Sequence, residues 1–183
     1  VKPLNLKNTY YGNKTKSCQN EAFSYEYMGK WEKSLETNMS VPHGAGAIVS
    51  TTNDLTTFIT ALFQKELISE PFIDSMSNIK RDFGMGLFEI PLKERISLGH
   101  TGGIDGFSSI LGYFPDDSLT IAFISNGTRI RNASLGALKL YYGDEVEFPE
   151  FKEIKVEKKL LQEYEGEYES EMFPLEITIR TDN

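Results

Sequence analysis

The chain has 183 residues, of which 39% are hydrophobic and 12% are aromatic, and this composition is typical of a folded domain rather than of a disordered segment. Its formal net charge of −8 disfavours binding to nucleic acid or to an anionic membrane surface, because both are themselves negatively charged. No apolar stretch approaches the ~20 residues that a membrane-spanning helix needs. A single cysteine, Cys18, and the two histidines, His43 and His100, exclude an intrachain disulfide and are too few for an ordinary structural zinc site.

The first 40 residues are polar and irregular and begin with neither a helix cap nor a strand. We expect this segment to be the tail of something that begins earlier, either in a mature form of a longer protein or in an excised piece. Phe23, Tyr25 and Tyr27 alternate with smaller or polar residues, which predicts a short strand over 22–28.

Two helices are predicted next. Ser50 or Thr51 is a suitable N-cap for a helix over 52–66, whose apolar residues recur at helical spacing. The second helix is expected to have Glu70 as its cap and Pro71 at its first position. A third helix is predicted over 133–142, with Asn132 as a candidate cap and Gly143 as its end.

Between the second and third helices the hydrophobic period changes to that of strands, over 84–90, 95–101, 107–114 and 119–125. The last two strands join through a hairpin turn at 115–118. They are apolar on both faces, which favours the buried middle of a sheet. We therefore predict an α+β fold, in which helices precede an antiparallel sheet and a final helix returns over it.

The remaining residues are predicted to form a linker and a separate β unit. The domain organisation we expect is a main domain over 1–143, an acidic linker over 144–157 and a C-terminal β unit over 158–183. That unit would contain a short helix through Leu160 and Leu161 and strands over 164–168 and 175–179. Two strands are not stable alone, so they must add to the main sheet, pair with another chain or belong to a truncated domain.

One stretch combines a polar pair with three glycines: the strand that contains His100 and Thr101 is followed by Gly102, Gly103 and Gly106. Glycines allow a ligand or another backbone to approach closely, so the stretch can line a site with one titratable group, one hydroxyl and bare N–H donors. The alternative is a glycine-rich hairpin with a surface histidine, because short motifs occur often by chance.

The order of several short motifs resembles the C-terminal half of the serine β-lactamase and penicillin-binding-protein superfamily. The similarity extends over about residues 1–142, and it is greatest to the class C branch with its D-alanyl-D-alanine carboxypeptidases, D-aminopeptidases and esterases. The motifs, in chain order, are Pro3-Leu4-x-Leu6-x-x-Thr9, Gly44-x-Gly46-x-x-x-Ser50-Thr51-x-x-Asp54-Leu55, Phe83-Gly84-x-Gly86 and His100-Thr101-Gly102-Gly103 with Gly106-Phe107.

This resemblance implies a serine acyl-transfer hydrolase with a β-lactamase/transpeptidase-like fold and no metal or organic cofactor. In the family a Lys-Thr-Gly-type strand binds the substrate carboxylate and flanks the acyl group. His100-Thr101-Gly102 stands at that triad, so the resemblance implies that Thr101 and Gly102 bind substrate. The N–H of Gly103 would then be an oxyanion donor.

His100 stands where the family pattern has lysine. Histidine is only fractionally charged near neutral pH, so the site would offer a carboxylate less fixed positive charge. The substitution makes a penicillin-like substrate less certain and favours ester or D-amino-acid substrates.

The family's Ser-x-x-Lys and Tyr-x-Asn elements precede the segment at which this chain begins, so we expect no nucleophile within it. Ser77-Asn78-Ile79-Lys80 has the right spacing but is predicted at a helix end, where the dipole disfavours developing negative charge. Tyr11-Gly12-Asn13 follows the Pro-Leu-x-Leu segment instead of preceding it, and is expected to be a packing tyrosine. His43 is expected to be a loop histidine.

Two hypotheses follow. In the first, the chain is part of a serine hydrolase that acts on small-molecule or peptide acyl substrates in the periplasm, at the cell surface or outside the cell, and is inactive without its N-terminal half. In the second, it is a non-catalytic binding or assembly domain that self-associates through apolar surface left where that half would pack. Carriage of an apolar ligand by the terminal β unit is a third, weaker alternative.

Overall fold

The structure is a computed structural model that describes residues 1–81, 83–92, 94–127, 131–147, 155–170 and 173–181. The chain divides into two compact units, Val1–Glu145 and Val146–Asn183. The elements of the first unit are β1 (Tyr10–Tyr11), β2 (Tyr25–Tyr27), β3 (Trp31–Lys33), β4 (Ile48–Val49), α1 (Thr52–Phe63), α2 (Glu70–Ser77), β5 (Phe88–Leu92), β6 (Arg95–Ile104), β7 (Phe107–Phe114), β8 (Leu119–Ser125) and α3 (Arg131–Tyr141), with short 3₁₀ turns at Ser17–Gln19 and His43–Ala45.

The main sheet is antiparallel and has four strands in the order β5-β6-β7-β8. Alternate residues of β7 point to opposite faces. Ile110 and Phe114 lie on one face and pack with Ile121 and Leu138, so α3 covers that side. This arrangement confirms the predicted α+β class and the helix that returns over the sheet.

The opposite face of the sheet is covered by α1. The rings of Phe63 and Tyr113 stack with centroids 4.4 Å apart, and the hydroxyls of Thr60 and Thr120 lie 2.8 Å apart. Helices on both faces explain why β7 and β8 are apolar on both sides. The expectation that 119–125 lies in the middle of the sheet is wrong for the described strands, because β8 is their outermost member.

The helix ends correct three predictions. Thr51 caps α1 by accepting the N–H of Asp54 at 3.3 Å, but the helix ends at Phe63 instead of residue 66. Ser69, not Glu70, is the N-cap of α2, so Pro71 is the second residue of the helix and not the first. Proline is tolerated there because N–H groups in the first turn have no intrahelical acceptor.

The third helix begins earlier than predicted, at Arg131, and contains Asn132, so Asn132 is not its cap. Gly143 follows the helix with φ +79°, the left-handed conformation that favours glycine, and its N–H donates to Leu140 O at 3.0 Å.

The strands also differ from their predicted ranges. β5 starts at Phe88 instead of residue 84, because Gly84 lies in a tight turn in which its N–H donates to Leu87 O at 2.7 Å. β6 continues through Gly102 and Gly103 to Ile104, so these glycines belong to the strand and the turn falls at 105–106. The predicted strand over 22–28 is β2, and it pairs with β3 rather than with the main sheet.

A polar cluster fixes the start of β6. The hydroxyl of Tyr142, just after α3, donates to Asp117 Oδ2 at 2.6 Å. The Arg95 guanidinium lies 4.0 Å from the centre of the Tyr142 ring and its Nε is 3.6 Å from Asp117 Oδ2. Burial, with the hydrogen bond to Asp117, raises the pKa of Tyr142 to about 12.

This pKa gives an expected pH dependence. Below the unfolded-state pKa of about 10, the neutral Tyr142 hydroxyl contributes its full stabilisation. Between about pH 10 and 12 the Tyr142 hydroxyl ionises in the unfolded state before it does so in the folded state, so its contribution to stability is lost. In urea unfolding from about pH 9 to pH 12, we expect the free-energy difference between the wild type and Tyr142→Phe to shrink. A constant difference would contradict the raised pKa.

The second unit contains α4 (Lys158–Gln162), β9 (Gly166–Ser170) and β10 (Phe173–Ile179). The predicted short helix and both predicted strands are present with shifted ends, and the two strands form an antiparallel pair with each other. Residues 148–154 of the predicted acidic linker lie outside the described residues. Among the described helices, none is long and apolar enough to cross a membrane.

Candidate functional site

The second half of β6 has one open edge. The β5 ladder on β6 ends at the Phe88–Gly99 pair, whereas the β7 ladder continues to the Ile104–Phe107 pair. Within the described part of the chain, residues 100–104 are therefore paired on one side only. β5 covers residues 95–99, so the open edge is confined to the segment that contains His100.

The His100 side chain is exposed and held in one orientation. Its Nδ1 lies 2.5 Å from the carbonyl oxygen of Thr101. A carbonyl can only accept, so Nδ1–H donates to it, and Nε2 is the ring nitrogen left to face a ligand. The Phe88 ring packs against the imidazole with centroids 4.6 Å apart.

The next three residues are also exposed. A Cβ on Gly102 would lie 2.4 Å from Ser109 Oγ on the paired strand β7, so a side chain there would require that hydroxyl to rotate away. A Cβ on Gly103 would meet only Phe107 O, at 4.0 Å. The structure thus places Thr101 and the two glycines side by side along the open edge, with uncrowded backbone at Gly103.

Gly99, directly before the triad, is buried and closely packed. A Cβ there would lie 2.0 Å from Leu111 O and 2.8 Å from Gly112 Cα, which are backbone atoms of the paired strand. Ser97, two residues earlier, is 0% exposed and donates its hydroxyl to Ile90 O at 3.1 Å. Close packing on both sides therefore fixes β6 immediately before the candidate site.

The turn after the site is clamped to a distant loop. Asp105 has φ +52°, and its carboxylate accepts the hydroxyl and the N–H of Thr37 at 2.6 and 3.1 Å. Gly106 donates its N–H to Ser24 Oγ at 3.2 Å, and a Cβ on it would lie 2.6 Å from Tyr25 O. We did not predict this clamp, although an Asp-Gly pair between two apolar strands is itself a strong hairpin signal.

The β2–β3 hairpin covers this end of the sheet. The Tyr25 N–H donates to Asn126 O, and the Asn126 side-chain amide donates to Phe23 O, both at 2.8 Å. Between hairpin and sheet lies a shallow cavity of about 370 Å³, lined by Tyr25, Trp31, Ser125, Asn126 and Gly127.

The two motif-like segments have different surroundings. Ser77 ends α2, and its Oγ is buried with no hydrogen-bond partner among the described residues, so a substrate cannot reach it. The Tyr11 hydroxyl donates to Met39 O at 2.9 Å, and its ring lies edge-on to His43 with centroids 5.8 Å apart. Among the described residues, no three His, Cys, Asp or Glu side chains cluster closely enough to hold a metal.

A sheet with helices on both faces and a His-Thr-Gly strand with an open edge define a β-lactamase/transpeptidase-like protein. The model of the family "Beta-lactamase" matches residues 1–139, and the chain belongs to this family of serine hydrolases.

Individual relatives agree with this membership. Penicillin-binding protein 4* of Bacillus subtilis (strain 168) is 30% identical over an alignment of 142 residues. The alignment covers 68% of this chain and 31% of that protein. The D-amino acid amidase of Ochrobactrum anthropi SV3, in complex with D-phenylalanine, is 26% identical with a TM-score of 0.57 over 68% of this chain and 44% of its own.

A penicillin-binding protein homologue from Pyrococcus abyssi is 17% identical, and its TM-score of 0.63 over 99% of this chain and 44% of its own supports the fold alone. The chain therefore spans about a third to less than half the length of these relatives.

Proposed function

We propose that this chain supplies the His-Thr-Gly strand and one wall of the oxyanion hole to a serine acyl-transfer hydrolase whose nucleophile lies in the remainder of the parent protein. The observation that carries the proposal is the open edge of β6 at residues 100–104 in a member of this family. An open strand edge presents N–H donors and carbonyl acceptors to an extended substrate.

Each residue of the strand has a proposed role. The N–H of Gly103 donates to the oxyanion that forms when the serine attacks the acyl carbon, and the backbone around this N–H is uncrowded. The Thr101 hydroxyl binds a substrate carboxylate or carbonyl beside it, and Gly102 permits close approach of the substrate. His100 contributes an imidazole ring in place of a fixed ammonium group.

The substrate class we favour is a D-amino-acid amide or peptide, with esters and β-lactams as the other acyl substrates of the proposal. Histidine at position 100, in place of lysine, offers a substrate carboxylate less fixed positive charge. A relative that is a D-amino acid amidase also supports the amide reaction. Such a hydrolase would work in the periplasm, at the cell surface or outside the cell.

The test compares the chain alone with its full-length parent. We expect the parent to carry Ser-x-x-Lys upstream and to hydrolyse at least one of a D-amino-acid amide, a p-nitrophenyl ester and a chromogenic cephalosporin. The chain alone, and a parent in which that serine is replaced by alanine, should hydrolyse none. A parent without Ser-x-x-Lys, or with it but inactive on all three, would refute the hydrolase assignment.

A second candidate function is assembly, and one observation favours it. β8 is the outermost described strand, and apolar side chains on β8 and on α3 are exposed: Ile124 of β8 by 42%, and Leu140 and Tyr141 of α3 by 54% and 66%. Such a surface and edge can pair with a second copy. Analytical ultracentrifugation of the parent decides this point: a monomer excludes self-assembly, whereas a dimer that Tyr141→Lys dissociates supports it.

A further inference from the structure

The described residues of the loop between α2 and β5 are held by backbone hydrogen bonds and two isolated β-bridges, Lys80–Phe83 and Phe83–Phe88. Phe83 and Lys80 exchange backbone hydrogen bonds of 2.9 and 3.2 Å, and the Met85 N–H donates to Met76 O at 3.2 Å. A Cβ on Gly84 would lie 2.1 Å from Met76 O, so the loop is pressed directly against the end of α2. The side chains it carries are therefore presented from a fixed backbone.

This loop carries two apolar side chains into solvent. Phe83 is 68% exposed and Met85 is 66% exposed. The Phe83 ring meets the half-buried Phe88 ring edge to face, with centroids 6.1 Å apart, and Phe88 in turn meets the His100 ring at 4.6 Å. Three rings thus form a continuous row that leads from the loop to the first residue of the candidate site.

The three rings lie at the point where the open edge of β6 begins. Phe88 pairs with Gly99 and is the last β5 residue on that ladder, so a substrate that occupies the edge from residue 100 onward ends against its ring. Beyond it, the exposed Phe83 extends the aromatic surface away from β6.

We propose that Phe83 and Phe88 form an aromatic subsite that binds a ring-bearing side group of the acyl substrate held on the open edge of β6. The proposal rests on the function proposed above and adds to it the kind of side group that the site selects. An aromatic group is favoured because rings in edge-to-face contact leave faces and edges free for a further ring in the same geometry.

The kinetic test uses the full-length parent with phenylalanine amide and alanine amide of the D configuration. We expect Phe83→Ala to lower kcat/KM for the phenylalanine substrate about tenfold, a typical effect of altering an apolar pocket, and to leave the alanine substrate unchanged. Phe72→Ala is the matched control, because Phe72 is exposed to a similar extent, 64%, on α2. Equal loss on both substrates, or no loss on either, would overturn the subsite.

A binding measurement separates this inference from the function on which it rests. The chain has only two histidines, so the ring resonances of His100 are assigned by comparison with His43→Gln. N-acetyl-D-phenylalanine amide should shift them, N-acetyl-D-alanine amide should not, and Phe83→Ala should weaken the shift. No shift overturns the subsite even where the parent hydrolyses substrate. A shift of the His100 resonances in the chain, together with a parent that hydrolyses nothing, supports the subsite and refutes the hydrolase.

Discussion

Gly99→Ala is expected to destabilise the 183-residue chain by about 3 kcal/mol or more, whereas Gly103→Ala on the same strand should change stability by less than about 0.5 kcal/mol. The added Cβ at residue 99 would lie 2.0 Å from Leu111 O, a backbone atom that can retreat only if β6 and β7 separate. At residue 103 the nearest atom is Phe107 O at 4.0 Å.

Urea unfolding followed by circular dichroism measures both variants against the wild type. The two variants are well matched, because both replace glycine by alanine on β6 and both positions pair with β7. Equal midpoints for the two variants would mean that β6 does not approach β7 at Gly99 as closely as described. A large loss at Gly103 would show that its surroundings are not open.

The largest expected effect on activity is at Gly103 of the parent. Proline has no N–H, so Gly103→Pro should lower kcat by roughly 10²- to 10³-fold, the usual cost of removing an oxyanion donor. Gly103→Ala keeps the N–H and should retain kcat within a few-fold. The measurement is kcat on the best substrate, at a temperature where circular dichroism shows both variants folded.

Two results would count against the oxyanion role. A folded Gly103→Pro variant with wild-type kcat would show that the donor lies elsewhere. A Gly103→Ala variant as impaired as the proline variant would show that space at this position, and not the N–H, limits the reaction.

Local sequence signals predicted most of the elements but not all of their ends. Thr51 and Gly143 act as predicted because a cap depends on a few neighbouring residues. The start of β5 was misplaced because Gly84 is required by contact with Met76 O, a tertiary constraint that no local pattern shows. Gly102 and Gly103 suggested a turn, yet pairing with β7 keeps them in the strand.

The candidate site was found from the sequence only as a linear motif. His100 to Gly103 are neighbours in the chain, so their proximity needed no fold. The contact of Phe88 with His100 depends on which strand pairs beside β6, and the clamp of Asp105 by Thr37 joins residues 68 positions apart. Neither could be inferred from hydrophobic periodicity, which predicts elements and not their neighbours.

The anchoring of β6 at both ends has a consequence for the order of folding. The β6–β7 and β7–β8 hairpins join residues close in sequence and can form early, whereas the attachments to Thr37 and Tyr142 close long loops and form late. We therefore expect β6 to pair with β7 before its two ends are attached to Thr37 and Tyr142. In hydrogen exchange, the amides of β7 should be the slowest to exchange and those of residues 100–104 faster, so the candidate site is the part of the sheet that opens first.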